Sequence, residues 1–212
     1  VELAYLIMSE RAMDYFVHES SIVEPGAQIG SGTKIWHFSH VMPKAIIGAE
    51  CNLGQNVFVA NNAIIGNHVK IQNNVSIYEG VILEDYVFCG PSTVFMNTKT
   101  PRSAYSRNTL EEHLVTRVKY GATLGANSTI VCGLTVGEWA MIGAGAVVSK
   151  DVPAHALVAG VAGVIIGWSC ECGVTLVIQD EHGFCPACGK TYQSVEGRGF
   201  EAGNLPSPEQ SR

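Results

Sequence analysis

Four cysteines stand in two tight pairs toward the C-terminal end of the 212-residue chain, Cys170-Glu-Cys172-Gly and Cys185-Pro-Ala-Cys188-Gly-Lys, with an alternating TLVIQ stretch between them. Cysteines this close present thiolates from a turn whose backbone N–H groups support the charge, and four sulfurs complete a tetrahedral zinc site. The second pair has the usual knuckle spacing; the first is one residue shorter. Cys170, Cys172, Cys185 and Cys188 are therefore the expected ligands of a structural zinc ion. A redox pair at Cys185 and Cys188 is the alternative, and His182, between the pairs, is a possible substitute ligand. A four-cysteine site is closed and has no room for a catalytic water, so it says little about the reaction.

Histidine is the default general base, and His37, His40 and His113 are all placed where one could act. The polar segment NTKTPRSAYSRNTLEEHLVTR, residues 97 to 117, also gathers Lys99, Arg102, Arg107 and Arg117 in a chain of net charge −6. An anionic ligand needs such a local cluster. No Lys/Arg run of useful length supports nucleic-acid binding.

The elements that must hold these residues are written in a period of six. Every sixth residue from Val17 is apolar: Val17, Val23, Ile29, Ile35, Val41, Ile47, Leu53, Val59, Ile65, Ile71, Ile77, Leu83, Cys89 and Phe95. The ladder breaks and resumes in a shifted register at Leu124, Ile130, Val136, Ile142 and Val148. Two positions before each large residue lies a mostly small one, such as Ala27, Ala45 and Ala63. Six fits neither the 3.6 of a helix nor an ordinary alternating strand. It is the repeat of a β-solenoid, a triangular prism in which each hexad gives one short strand and one corner and three hexads make a coil. Stacked coils pair in parallel at roughly 4.8 Å. Glycine or asparagine just after the large residue, as at Gly30, Gly48, Gly54 and Gly125, is expected to supply positive φ at the corners.

The step from Phe95 to Leu124 is no multiple of six, so a segment must leave the prism there. Long excursions from compact domains are often functional. The expected organisation is all-β: an N-terminal extension over 1–16, a prism over 17–153 with an active-site loop about 97–118, and a capping segment over 154–168. A zinc-ribbon-like module over 169–192 and a polar, mobile tail over 193–212 follow. A hydrophobic content of 47% against 15% charge describes a globular chain. Residues 1–8, VELAYLIM, carry neither a positive n-region nor a cleavage site, and nothing approaches a membrane-spanning run. An odd number of cysteines, seven, with Cys51, Cys89 and Cys132 on the prism, argues against a secreted disulfide framework. A soluble, cytoplasmic protein is expected.

Longer stretches carry a resemblance. GTKIWHFSH (32–40), LGQNVFV (53–59), VKIQNNVSIY (69–78), VFCGPS (87–92), Asn97, PRSA (101–104), GATLGAN (121–127), GAGAVV (143–148), KDVP (150–153) and IGW (166–168) resemble the hexapeptide-repeat nucleotide-sugar N-acetyltransferases. The most similar branch acetylates the 3-amino group of UDP-2-acetamido-3-amino-2,3-dideoxy-glucuronate, a surface-polysaccharide precursor. The resemblance implies a left-handed parallel β-helix, against the usual right-handed crossover rule. It also implies a homotrimer with active sites between subunits, acetyl-coenzyme A as co-substrate, and no protein base.

Asn97 matches the family's asparagine that hydrogen-bonds at the reacting centre. Lys99, Arg102 and Arg107 are the expected partners of the substrate's anionic groups. Gln72, Asn73, Asn74 and Tyr78 are placed to hold uracil or sugar hydroxyls. Gly121, Ala126 and Ala144 are small where a pantetheine chain could lie, and Lys150 could meet a phosphate. The chain departs from the family at GVAGVIIGW, which lacks the proline and the cation usual before IGW, and with them one phosphate contact.

Three other readings share the prism. An O-acetyltransferase would need an essential histidine, His113, because an alcohol must lose its proton during attack. A hexapeptide carbonic anhydrase would bind zinc through three prism histidines, two usually five apart, whereas His37 and His40 are three apart and His68 stands alone. A non-catalytic trimeric scaffold would bind no acetyl-coenzyme A.

Overall fold

A computed structural model describes residues 14–101, 114–196 and 199–202. The hexads become two- and three-residue strands on three flat faces. The first face begins with Phe16–Val17 and Lys34–Ile35, the second with Ile22–Val23 and His40–Val41, the third with Gln28–Ile29 and Ile46–Ile47. Each strand pairs in parallel with the one a coil later, so that Ile35 faces Leu53 and Val41 faces Val59. The three hexads of a coil thus build a parallel β-solenoid. No strand can form alone, because every backbone partner lies on a neighbouring coil.

The large residue of each hexad and the small one two before it both point inward. Ile35, Leu53, Ile71, Leu124 and Ile142 fill the core together with Ala45, Ala63, Val75, Ala122 and Ala146. Thr33 and Ser39, at small-residue positions, are buried because their hydroxyls donate to the Gly48 and Gly54 carbonyls of the next coil, at 2.8 and 3.0 Å. Cys89 lies on the same axis, and burial pushes its thiol up to about 12, leaving it an apolar core group.

The corners correct one expectation. Positive φ falls three residues after the large position, at Phe38, Glu50, Asn56, His68, Asn74, Tyr86 and Trp139 among others. The glycines directly after the large residue serve a different purpose. A Cβ on Gly30 would lie 2.5 Å from the Ala49 nitrogen, and one on Gly125 would lie 2.6 Å from the Ala144 nitrogen. These glycines let one coil's backbone settle on the next.

The excursion is shorter than expected. Val81–Leu83 pairs with Thr116–Val118, Val81 facing Thr116. Val118 is fully buried and in phase with Leu124, so the ladder resumes one hexad before Leu124. Residues 116–118, counted within the loop from sequence, belong to the prism. Val118 escaped notice because Arg117 and Lys119 flank it.

Beyond Val147–Val148 the chain closes the end of the prism. Ala156–Ala159 adds a last parallel strand beside Met141–Ile142, and Val164–Trp168 folds back on it antiparallel. A separate four-stranded antiparallel sheet follows: Val177–Gln179, His182–Phe184, Thr191–Val195 and Gly199–Ala202. Its small core contains Cys170, Leu176, Cys185, Tyr192 and Phe200, and Trp168 packs against both this core and the prism. This module extends past residue 192. Within the span expected as a mobile tail, Ser194 pairs with Phe200, and Phe200 is buried with its ring 4.9 Å from that of Trp168. One aromatic residue in a glycine-rich polar stretch is a weak sequence signal, but here it fills the gap between module and prism. Among the described residues, no helix is long and apolar enough to cross a membrane.

Adjacent corner positions should respond oppositely to substitution. In Gly48→Ala the added Cβ meets the Gly66 carbonyl oxygen at 2.5 Å, so a loss of about 1–3 kcal/mol is expected. Glu50→Gly removes a side chain from an exposed position with φ of 56° and should be neutral or stabilising by up to about 1 kcal/mol. Chemical denaturation of the two variants reads the difference.

Candidate functional site

The expected site residues fall mainly on two edges of the prism, on either side of its second face. Gln72, Asn73 and Asn74 follow the strand Lys70–Ile71 on the edge between first and second faces. Ala126 and Ala144 occupy the same edge on later coils, after Thr123–Leu124 and Met141–Ile142. Tyr78, Asn97, Lys99 and Lys150 lie on the other edge, between second and third faces, following Ser76–Ile77, Val94–Phe95 and Val147–Val148. Ser76 pairs with Val94, which puts Tyr78 one coil away from the bend at Asn97. Gly121 is on the third edge, apart from both groups. Its φ of 66° and the Trp139 ring packed against it account for the glycine. Arg102, Arg107 and His113 lie outside the described residues.

Asn97 is placed by the strand before it. The Met96 N–H donates to the Ile130 carbonyl at 3.0 Å, the last rung before the chain leaves the prism. Asn97 follows in a half-exposed bend, and Lys99 is exposed. The Asn97 carboxamide offers a donor and an acceptor on one rigid group, suited to a carbonyl and an amine together. Thr98 to Pro101 then leads into the excursion.

The corner asparagines are partly committed to the fold. Asn73 Oδ1 accepts the Gln55 N–H at 2.9 Å, and Asn74 Oδ1 accepts from Asn56 Nδ2 at 3.0 Å. Asn67 does the same for the Ala49 N–H, and Asp85 for that of Asn67. These carboxamides and carboxylates staple coil to coil. Any substrate contact by Asn73 or Asn74 must use atoms this stapling leaves over.

The described prism histidines pair with separate neighbours. His37 stacks on His18 with ring centroids 3.6 Å apart, His40 Nε2 meets Glu24 Oε1 at 3.1 Å, and His68 stacks on Tyr86 on another edge. The described residues show no three-histidine cluster of the kind a carbonic anhydrase would need; the potential metal ligands they do bring together are the four cysteines.

All four Sγ atoms lie within 4.8 Å of one another, with Cys170 to Cys188 at 3.4 Å and Cys172 to Cys185 at 3.6 Å. Zinc–sulfur bonds of about 2.3 Å in a tetrahedron separate the sulfurs by about 3.8 Å. The donor set and its spacing fit a closed four-thiolate metal site. Burial pushes the Cys185 thiol up, but the amides of Cys188 and Ala187 and the neighbouring sulfurs outweigh it and bring it to about 6. The buried Tyr192 completes the setting: its hydroxyl accepts the Glu171 N–H at 3.2 Å and lies 3.0 Å from Cys170 Sγ. Sequence reading passed over Tyr192, whose one signal is an aromatic in alternation after the second cysteine pair. Its ring meets that of His155, on the prism side, at 4.9 Å.

The model of the bacterial transferase hexapeptide family (six repeats) matches residues 17–61. Over 190 residues, 90% of this chain and 96% of the relative, the chain is 42% identical to the dTDP-3-amino-3,6-dideoxy-α-D-galactopyranose 3-N-acetyltransferase of Aneurinibacillus thermoaerophilus. It is 25% identical over 189 residues to the bifunctional protein GlmU of Thermotoga petrophila, covering 75% of this chain and 41% of that longer one. Among solved structures, the acetyltransferase domain of PglB from Neisseria gonorrhoeae in complex with acetyl coenzyme A is 20% identical, with 78% of this chain and 66% of that chain covered and a TM-score of 0.47. On the near-complete 42% match, together with the hexapeptide repeats, the chain belongs to the hexapeptide-repeat nucleotide-amino-sugar N-acetyltransferases.

Proposed function

We propose that the chain moves acetyl from acetyl-coenzyme A to the 3-amino group of a UDP-linked 2-acetamido-3-amino uronate, as a left-handed prism in a homotrimer. The observation that carries this is the position of Asn97, where the second-face strand Val94–Phe95 ends and the cationic excursion begins. The relative named as a 3-N-acetyltransferase of a dTDP-linked 3-amino sugar supports the position acetylated. Lys99, with Arg102 and Arg107 beyond the described residues, supports an acceptor bearing a carboxylate as well as a diphosphate.

The chemistry makes modest demands. The neutral amine attacks the thioester carbonyl, a tetrahedral oxyanion forms, the carbon–sulfur bond breaks, and the departing sulfur takes the amine's proton. Alignment and oxyanion stabilisation supply the acceleration. Asn97 would orient the amine through Oδ1 or polarise the carbonyl through Nδ2. Ala126 and Ala144 would let the pantetheine chain lie against backbone, and Lys150 would meet a phosphate. Tyr78 and Gln72 would contact the nucleotide sugar. Within one chain the Asn97 edge and the Ala126–Ala144 edge are separated by the whole second face. In a closed ring one subunit's edge can face the other edge of the next, and this supports a trimer with the reaction between subunits.

The four cysteines would hold a structural zinc in a zinc-ribbon-like module. Bound zinc supplies folding energy to that module. Through Trp168 and Tyr192 it would brace the closed end of the prism; no step of acetyl transfer passes through it.

A panel of UDP- and dTDP-linked amino sugars with acetyl-coenzyme A, followed by thiol release, tests the reaction. The UDP-3-amino uronate should be the best acceptor and its 3-hydroxy analogue inert. If none of the amino sugars is acetylated, the proposal fails. In the same assay Asn97→Ala should lower kcat about 10²–10³-fold with the trimer intact by light scattering. The double variant Cys185→Ser/Cys188→Ser should lose its zinc by elemental analysis and melt at a lower temperature. Zinc retained in that variant would contradict the four-cysteine site.

A further inference from the structure

The second face carries an outward column with an aromatic ring at its middle. Ile22, His40, Phe58, Ser76 and Val94 lie in register on successive coils. The Phe58 ring is half-exposed. It meets His40 edge-on at 5.9 Å and Tyr78 at 6.2 Å. Ser76, with the buried Val75 and Ile77 on either side, puts a small hydroxyl between Phe58 and Val94, which leaves a shallow step above the ring. The core does not require an aromatic here, since Phe58 points away from it and Val59 fills the inward position.

From this column, and resting on the reading of Asn97 as the reacting centre, we infer that Phe58, flanked by Tyr78 and His40, is the stacking platform for the pyrimidine base of the nucleotide sugar. Two coils separate Phe58 from the coil of Asn97, a rise of about 10 Å, which a ribosyl diphosphate can bridge. Ser76 and Tyr78 lie along that path, and their hydroxyls can donate to phosphate oxygens. A base laid on an aromatic ring gains affinity through stacking, with no deep pocket required. The face supplies affinity for the base, while Asn97 meets the amine at the other end of the substrate.

Titration of UDP, dTDP and ribose 5-diphosphate, which lacks a base, into the wild-type protein, Phe58→Ala and Phe58→Tyr tests this. Phe58→Ala should bind UDP and dTDP about tenfold more weakly, and Phe58→Tyr should stay within about twofold of wild type. Ribose 5-diphosphate and acetyl-coenzyme A should bind all three alike. Unchanged nucleotide affinity in Phe58→Ala overturns the platform, as does an equal loss for ribose 5-diphosphate. Dissociation of the trimer in Phe58→Ala would make the ring a subunit contact and also overturns it. If the wild-type protein binds neither nucleotide, the nucleotide-sugar reading itself fails along with the platform, a result distinct from a failure confined to the variant.

Discussion

The structure depends on the fit of each coil on the next. Each short strand hydrogen-bonds only to strands one coil away, and the backbones approach so closely that Gly30, Gly48, Gly54 and Gly125 leave no space for a side-chain carbon. Where the chain carries asparagine or aspartate at these corners, the side chain often adds a bond to the preceding coil, as Asn67, Asn73 and Asp85 do. The prism is therefore stiff along its axis, with side chains held in registered columns. A site assembled from such columns needs little reorganisation when it binds.

The same stacking explains what could be read in advance. The inward residue of every hexad must be apolar, and this one demand, repeated, made the faces and the core legible down to single residues such as Leu53 and Ile130. The φ-positive corners were misplaced because glycine has two uses here, positive φ and close approach. Only the second applies directly after the large residue. Val118, though six residues before Leu124, was missed because a cation flanks it on each side, and Phe200 because one apolar residue shows no period. Both are fixed by tertiary partners, Val81–Leu83 and Trp168.

The candidate site was less legible than the fold. Residue types suggested Asn73, Asn74 and Gly121, yet the asparagine oxygens are taken up in stapling coils and Gly121 lies under Trp139 on another edge. Asn97, Tyr78, Ala126 and Ala144 do fall on edges flanking one face, but on opposite sides of it. Sequence spacing cannot show this, because a column arises from the 18-residue coil and not from neighbours in the chain. The convergence of the two cysteine pairs was readable because each pair is local in sequence, whereas the tyrosine and tryptophan that tie them to the prism are not.

The central claim is that the Asn97 edge of one chain works with the Ala126–Ala144 edge of another. Mixed trimers test it most directly. Chains carrying Asn97→Ala would be co-assembled with chains carrying Ala144→Trp, each nearly inactive alone, and acetyl transfer measured. If the site is shared, some interfaces in the mixed trimer combine an intact Asn97 with an intact Ala144, and activity returns to a substantial fraction of wild type. If mixed trimers form and stay as inactive as either parent, each chain holds its own complete site and the account is wrong.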